Sequence, residues 1–562
     1  MHASPVRLIQ YFDGMKQNMI PLFQRSYCWD KEKWDNFWDD ILELYYFDNE
    51  KSHFMGAIVT IPVQTVPVGV IKFLIIDGQQ RLITTSIFLC AIREFVSDKK
   101  KALINEYLEN RHYEDQDNLK IMPTNADRET YLSLIRGEDI IDTNHYINQC
   151  FNYFKGKLAS NSENEEPFDL EKIFQILINS LEVVMINLVD TDDPYLIYES
   201  LNHKGKPLTQ GDLVRNYILM RYKHSVEPNG EQEKIYKNTW LPMETSLGDS
   251  IEDFLYHYSR RTGNNIGKKS IYNAYRREYQ GLESISEISR SLEKMKVLSN
   301  FYQKFINPDL ESNIEIRKYL STHLKLNRTV VYPFLMRLFD SYNENILNEK
   351  DLIDCLQYLE SYVIRRQICH ASTNYLRNTF LDLCKKYPHD NIAYWLQYSL
   401  SSYSGNLRWP KDDEVRKWLI TQEFYGSKIE RIVLEAIERS YNHKEPIDFA
   451  NLSVEHVLPQ SITKEWRTML GTKYENVEEI PPSLVHNIGN LTLTGYNSEM
   501  SNFSFGKKKE ILSNSHIELN KWIIQQEKWT ETEINTRADH LSSIVINIWK
   551  KPISIEETIN SP

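Results

Sequence analysis

Two short segments near the C-terminus carry the residues best suited to chemistry. Glu455 and His456 lie together at the end of an apolar β-like run, and Asn490 and Asn497 bracket a second such run further along the chain. Imidazole titrates near neutral pH and can take a proton from water, whereas carboxylate and amide oxygens are ligands for hard cations. These residue types together are what a metal-dependent phosphodiesterase requires.

Each of these four residues can be given a role in such a site. His456 is expected to act as general base, and Glu455 and Asn497 to supply oxygens to one Mg²⁺ or Mn²⁺ ion. Asn490 is expected to tie the two β-like runs together and to hold His456 in line, as part of the catalytic set. The competing interpretation is a core histidine beside asparagines that only form turns, which the order of the four residues disfavours.

Neighbouring residues leave some of these assignments open. His486 is an alternative candidate for the histidine of the site, and Asn502 is an alternative to Asn497 as the metal ligand. Lys507 and Lys508 belong to a basic run after the second segment and are expected to contact the phosphate backbone of DNA.

A second polar set follows an apolar strand in the N-terminal part of the chain. Gly78 permits a tight turn after Asp77, and a helix is predicted to begin just beyond it. Free N–H groups at a helix N-terminus attract anions, and Arg81 can fork onto a phosphate. Asp77 can hold magnesium or polarise water, while Gln79 and Gln80 can hydrogen-bond water, a base or a ribose. The carboxyl end of such a strand is also where α/β sheets bind ligands.

Two other N-terminal segments contain residues that can reach a ligand. Gln24 and Arg25 precede the first long helix. Two adjacent polar residues would be unusual there if the segment served only to lead into the helix. Asn202 lies in a loop that also contains glycine. Thr209 and Asp212, just after this loop, fit a capping box that starts the next helix.

Composition limits the class of protein. With 562 residues the chain is expected to form several domains, and its net charge of −12 disfavours a protein that simply coats DNA. No apolar run is long enough to cross a membrane, and no signal peptide is visible. The six cysteines are scattered without a CxxC pair, which indicates a reduced, cytoplasmic, soluble protein.

The periodicity of apolar residues predicts an α+β multidomain protein. Residues 1–225 read as an α/β domain with strands at 54–61, 71–76 and 181–189 and a helical insertion at about 98–180. A helical connector at 226–440, a C-terminal domain at 446–552 and a loose tail at 553–562 complete the predicted organisation.

The N-terminal motifs resemble those of GmrSD-type proteins, which are bacterial modification-dependent (type IV) restriction enzymes and their phage-defence relatives. The shared patterns are a Gln-Arg-x-Tyr-x-Trp entry, an Asp-Gly-Gln-Gln-Arg turn and a Leu-Asn-x-x-Gly loop. The resemblance implies a ParB/sulfiredoxin-like domain that binds and hydrolyses an NTP. It assigns Asp77, Gln79, Gln80 and Arg81 to the nucleotide site, and it adds Gln24 and Arg25 by motif position alone.

The C-terminal pattern is similar to the nuclease half of the same family. Glu-His-x-x-Pro-Gln is followed by Gly-Asn-Leu-Thr-Leu-x-x-x-Asn, and strand, strand, helix is the order of a ββα-metal (HNH, or His-Me finger) domain. The chain departs from the commonest finger pattern in two places. Glutamate stands where aspartate is frequent before the histidine, and asparagine replaces the final histidine, so the metal preference stays open.

The resemblance therefore predicts an NTP-regulated, metal-dependent DNA endonuclease of anti-phage defence that cuts modified DNA. GTP, UTP, ATP and CTP are not distinguished, and double-strand cleavage by one finger would favour a homodimer. The alternatives are a nucleotide-dependent DNA-binding sensor with an inactive finger, and an RNA-directed nuclease. Cleavage assays distinguish these three.

Overall fold

The computed structural model describes residues 2–21, 24–47, 52–63, 69–113, 118–138, 142–159, 167–188, 209–222, 231–282, 284–443, 447–475 and 479–552. The chain divides into two compact units. Unit 1 comprises residues 1–245 and 269–292, and unit 2 comprises residues 246–268 and 293–562. The three-domain organisation stays a prediction.

The strands lie at the two ends of the chain. They are β1 (His2–Arg7), β2 (Lys16–Met19), β3 (His53–Pro62), β4 (Ile71–Asp77), β5 (Ile121–Met122), β6 (Leu181–Asn187), β7 (Ser453–His456) and β8 (Leu491–Thr494). Unit 1 contains a six-stranded sheet in the order β1-β6-β3-β4-β2-β5. This sheet is mixed, because β4 is antiparallel to β3 and parallel to β2.

Helices make up most of the remaining described chain. In chain order they are α1 (Lys31–Phe47), α2 (Gln79–Arg93), α3 (Asp98–Leu108), α4 (Asn125–Arg136), α5 (Tyr146–Ala159), α6 (Leu170–Asn179), α7 (Gln210–Met220), α8 (Glu231–Ile235), α9 (Leu241–Leu247), α10 (Ile251–Arg260), α11 (Ile271–Gln280), α12 (Ile285–Ile306), α13 (Ile314–Lys325), α14 (Tyr332–Asn343), α15 (Glu349–Ile368), α16 (Leu376–Lys385), α17 (Ile392–Ser402), α18 (Asp412–Thr421), α19 (Glu430–Ser440), α20 (Lys464–Leu470), α21 (Thr472–Glu475), α22 (Pro482–Val485), α23 (Asn497–Met500), α24 (Phe505–Leu512), α25 (Glu518–Ile524) and α26 (Glu531–Ile548).

The predicted fold class is confirmed. The predicted strands at 54–61, 71–76 and 181–189 correspond to β3, β4 and β6, and the predicted capping box at Thr209 and Asp212 starts α7. The sequence did not predict β1, β2 or β5. β1 is mostly exposed and β5 has two residues, so neither shows the apolar alternation that identifies a strand.

The core of unit 1 lies between the sheet and the helices packed on it. In α1 the buried residues follow helical spacing, which directs one face of the helix inward; they are Trp34, Phe37, Trp38, Ile41 and Leu44. Helix α2 is buried along nearly its whole length. Because α2 begins directly after β4, this burial fixes the turn between them.

The C-terminal part of unit 2 is organised around the β7–β8 hairpin. The strands are antiparallel, with Ser453 opposite Thr494 and His456 opposite Leu491. Arg537 of α26 is fully buried and donates to the backbone oxygens of Gly489 and Leu491 at 2.8 and 2.7 Å. Burial lowers the pKa of its guanidinium to about 10, so it still carries a charge at neutral pH.

Unit 2 also contains a buried histidine without polar partners. His323 on α13 is 1% exposed, and neither ring nitrogen has a hydrogen-bond partner among the described residues. Burial lowers the pKa of its imidazole to about 4 from 6.5. The native state therefore prefers neutral His323, and the corresponding stability is lost as the pH falls below 6.5 toward 4.

This histidine leads to a prediction of acid sensitivity. Replacing His323 with phenylalanine should stabilise the protein against unfolding by about 2 kcal/mol more at pH 5 than at pH 8, because the ring no longer binds a proton on unfolding. Thermal unfolding at the two pH values measures this difference. The exposed His389 serves as control, and His389→Phe should change stability equally at both. Equal effects of His323→Phe at both pH values would contradict the prediction.

Over the described ranges, no helix combines the length and the apolar character that a bilayer crossing needs.

Candidate active site

The hairpin presents Glu455 and His456 on different sides. Both residues belong to β7, and consecutive residues of a strand point to opposite faces. Their side chains accordingly have different partners, as the following contacts show. The strand end itself is held by a hydrogen bond from the Val457 N–H to the Asn490 carbonyl at 2.9 Å.

The imidazole of His456 lies in a largely closed polar pocket. Its Nε2 is 3.1 Å from Nδ1 of His486, and its Nδ1 is 3.3 Å from the amide nitrogen of Gln460. The ring of Tyr425 contacts it edge to face at 4.3 Å between centroids. Burial, followed by the proximity of His486 and Lys508, lowers the pKa of His456 to about 4, so the ring is neutral at physiological pH.

His486 is fixed in place by the segment that follows α18. Its backbone oxygen accepts from the N–H groups of Phe424 and Tyr425 at 2.8 and 3.1 Å. The Tyr425 ring also stacks on the His486 ring, with 5.4 Å between centroids and 15° between planes. His486 is partly exposed.

Both the oxygen and the nitrogen of the Asn490 side-chain amide form hydrogen bonds that hold the hairpin region together. Its oxygen accepts from the Leu458 N–H at 2.7 Å and from the Trp529 indole at 2.9 Å. Its nitrogen donates to the carbonyls of Leu458 and Val485 at 2.8 and 2.7 Å. Asn490 is fully buried and does not contact the His456 ring in these bonds. Its contribution to chemistry is therefore through the position of the chain that directly follows His456.

Glu455 forms a buried ion pair with Lys508 of α24. The Lys508 ammonium is 2.7 Å from the Glu455 carboxylate and donates to the His456 backbone oxygen, also at 2.7 Å. Burial raises the pKa of Glu455 and lowers that of Lys508. Lys508 is 1% exposed. The prediction that Lys508 contacts the DNA backbone does not agree with this position, because the ammonium points into the protein.

Asn497 lies on the same side of the hairpin as Glu455. Its amide nitrogen donates to the Ser453 hydroxyl at 3.1 Å and to the Val454 carbonyl at 3.2 Å, and Ser453 shares a strand face with Glu455. Its amide oxygen makes no hydrogen bond within the described part of the chain. This oxygen and the Glu455 carboxylate are the two predicted cation ligands.

These two oxygens are of the chemical type that binds a cation which keeps most of its water. Among the described residues, no group of three His, Cys, Asp or Glu side chains is placed to hold a metal ion. Mg²⁺ is commonly bound through one or two protein oxygens, with water and substrate phosphate as its other ligands. The donor set is compatible with that kind of site, whereas a closed cage is not formed here.

Lys507 and Asn502 line an open cleft beside the hairpin. The cleft has a volume of about 530 Å³, and its lining residues are Thr463, Lys464, Glu465, Asn502, Phe503, Ser504 and Lys507. Lys507 is exposed and pairs with Glu510 at 2.8 Å. The structure thus places Lys507 on the surface, where a backbone phosphate can reach it.

In unit 1 the turn after β4 brings Asp77 and Arg81 together. Gly78 has φ +98°, and a side chain there would meet Ile58 at 2.8 Å, so glycine is required at this turn. The Arg81 guanidinium donates to the Ala57 carbonyl at 2.6 Å and is 3.8 Å from the Asp77 carboxylate. Burial raises the pKa of Asp77, and the charge of Arg81 opposes this shift.

Gln24 and Gln80 hold the chain segment that precedes α1 against this turn. The Gln24 amide donates to the carbonyls of Ile75 and Ile76 at 2.9 and 2.8 Å, and Gln80 exchanges hydrogen bonds with the backbone of Ser26 and Cys28 at 3.2 and 3.0 Å. Both side chains therefore hold backbone segments together at this turn.

Part of the same turn still has unused polar atoms. Among the residues that the structure describes, the buried Gln24 Oε1 and Arg25 Nε have no hydrogen-bond partner. Gln79 is buried at the first position of α2. Together with Asp77 and Arg81 these groups fit an anionic, polar ligand at the start of α2. Asn202 lies outside the described residues.

Sequence reasoning missed several residues that shape the hairpin. Tyr425 and Arg537 lie far from either motif, and their side chains gave no signal of their own. Trp529 likewise reads as an ordinary core residue. Gln460 stands four positions after His456 within the motif itself, and that spacing could have identified it.

Comparison with protein families covers both units. Residues 8–219 match the model of the GmrSD restriction endonuclease N-terminal domain, and residues 409–544 match the model of the GmrSD restriction endonuclease C-terminal domain. A search of curated proteins finds no match.

Proposed function

Because the chain belongs to the GmrSD restriction endonuclease family, with DNA as its partner, we propose that it is an HNH-type nuclease regulated by NTP. The proposed substrate is modified phage DNA. The observation that supports the nuclease part is the buried, neutral His456 at the end of a strand–strand–helix unit. The nucleotide part rests on the Asp77–Arg81 turn.

In this proposal His456 takes a proton from the water that attacks the phosphodiester. Its ring is neutral at physiological pH, because burial disfavours the imidazolium. One ring nitrogen therefore carries a lone pair that can take the proton when water replaces the partner now bonded to it. Asn490 holds the backbone just after the histidine, and Lys508 holds the strand end through the His456 carbonyl. Both contacts limit the movement of the ring relative to the scissile phosphate.

Glu455 and Asn497 are the proposed ligands of one Mg²⁺ or Mn²⁺. Because they lie on the hairpin side opposite His456, the ion and the imidazole can act on one phosphate only beyond the end of β7, of which His456 is the last residue. When bound, such an ion stabilises negative charge on the phosphate and on the departing oxygen. The Lys508 ammonium already neutralises the Glu455 carboxylate, which lowers the affinity of this site for a second cation. We therefore propose a weakly held ion completed by water and DNA.

The test is cleavage of phage genomic DNA with and without base modification, in the presence of Mg²⁺ or Mn²⁺ and each of the four NTPs. Cleavage of the modified genome that stops with EDTA and is absent in His456→Ala supports the proposal. Equal cleavage by wild type and His456→Ala would show that another nuclease is responsible. Binding of DNA without cleavage under any metal would favour the sensor function, and cleavage of RNA alone would favour the RNA-directed one.

The nucleotide site gives a separate prediction. Arg81→Ala should weaken binding of the preferred NTP by roughly tenfold or more, since a charge-assisted hydrogen bond contributes roughly 1.5–3 kcal/mol. Fluorescence titration with labelled GTP, UTP, ATP and CTP measures the dissociation constants. Arg7→Ala is the control, because Arg7 is an exposed arginine of the same unit that bonds to Asn179. Unchanged affinity in Arg81→Ala would remove Arg81 from the site.

A further inference from the structure

The two hydrogen bonds of the His456 ring have defined donors and acceptors. A neutral imidazole has one N–H donor and one acceptor nitrogen, whereas an amide nitrogen only donates. Gln460 presents its amide nitrogen to Nδ1 of His456 at 3.3 Å, so Nδ1 is the acceptor. The proton of His456 is then on Nε2, and it is donated to Nδ1 of His486 at 3.1 Å.

His486 is well placed to act as this acceptor. Two backbone N–H groups hold its carbonyl, and Tyr425 stacks on its ring. The same tyrosine contacts the edge of His456, so the two imidazoles and the phenol ring support one another. No carboxylate among the described residues bonds to Nε2 of His456, and His486 therefore occupies the place of the acceptor that usually orients a catalytic histidine.

We propose that His486 is a positioning residue that fixes His456 as the Nε2–H tautomer, so that Nδ1 acts as the base once the attacking water replaces the Gln460 amide on it. This proposal rests on the proposed nuclease function and adds a second histidine to it. When Nδ1 takes the proton of the attacking water, His456 becomes positively charged, and its Nε2–H bond to His486 becomes stronger. His486 thus acts through His456 and does not contact the substrate.

The first experiment compares cleavage rates of His486 variants. His486→Ala should lower kcat by roughly 10- to 100-fold, as loss of an orienting partner commonly does, with little change in the dissociation constant for DNA. His486→Asn should recover most of the rate, because its amide oxygen can accept from Nε2. His540→Ala is the control, since it removes an exposed histidine of α26 and should leave the rate unchanged. Full activity in His486→Ala, or no recovery in His486→Asn, would overturn the proposal.

The second experiment does not depend on cleavage. Solid-state ¹⁵N NMR of histidine-labelled protein distinguishes the two tautomers, and the His456 signals are identified by their absence in His456→Ala. Wild type should show His456 protonated at Nε2, and His486→Ala should show a mixture. A wild-type signal from the Nδ1–H tautomer would overturn the proposal even if DNA is cut. If the tautomer is as expected but no DNA is cut, the proposed nuclease function fails instead.

Discussion

Replacing Gly489 with alanine is expected to unfold the C-terminal hairpin region. A methyl group at this position would fall inside the contact radius of the Ile534 carbonyl oxygen and would lie 2.9 Å from the Ala538 nitrogen. Both atoms belong to the backbone of α26, so no flexible side chain can move away. Relief requires α26 to shift, which would also break the Arg537 bonds to Gly489 and Leu491.

The expected loss of stability is roughly 3–5 kcal/mol, above the usual cost of an overpacked core, because the clash is with backbone. Limited proteolysis and chemical denaturation measure it. Gly495→Ala is the matched control, since nothing lies within 4 Å of an added Cβ there and the residue follows the same hairpin. A Gly489→Ala protein as stable as Gly495→Ala would show that α26 does not pack on this segment.

Replacing His456 with alanine is expected to lower the rate of DNA cleavage by roughly 10²- to 10⁴-fold, the range that a positioned general base contributes. The side chain is 5% exposed and touches few groups besides His486, Gln460 and Tyr425. Single-turnover cleavage of a saturating DNA substrate measures the rate. Binding of DNA should persist, because no predicted backbone contact involves this ring.

Controls separate lost chemistry from lost folding. His516→Ala removes an exposed histidine of the same region and should cleave as wild type does. His456→Gln keeps side-chain volume and hydrogen bonding without a comparable base, and it should be as slow as His456→Ala. A His456→Gln enzyme with wild-type rate would exclude proton transfer by this residue.

The sequence predicted the hairpin because its signals are local. The short apolar runs next to Glu455–His456 and Asn490 predict strands without information from distant residues. The apolar run before Asp77 predicts β4 in the same way. The strand pairing of β7 with β8 also follows, since two short strands of one small domain have few other partners.

The surroundings of the two sites depend on contacts between distant residues. Lys507 and Lys508 are neighbours in a basic run, yet one is exposed and the other pairs with Glu455, because helix α24 turns consecutive residues to different faces. Tyr425 and Arg537 reach the hairpin only through packing of helices whose arrangement the local pattern does not encode. For the same reason the sequence could not show that Glu455 and His456 have separate partners.

The dependence of the hairpin on α26 bears on the order of events during protein synthesis. Both motifs leave the ribosome well before Arg537 and Trp529, which supply the bonds that complete the hairpin. A nascent or prematurely terminated chain that stops before residue 529 would therefore contain His456 and Asn490 without the bonds from Trp529 and Arg537. Under the proposed nuclease function, we expect such a fragment not to cut DNA.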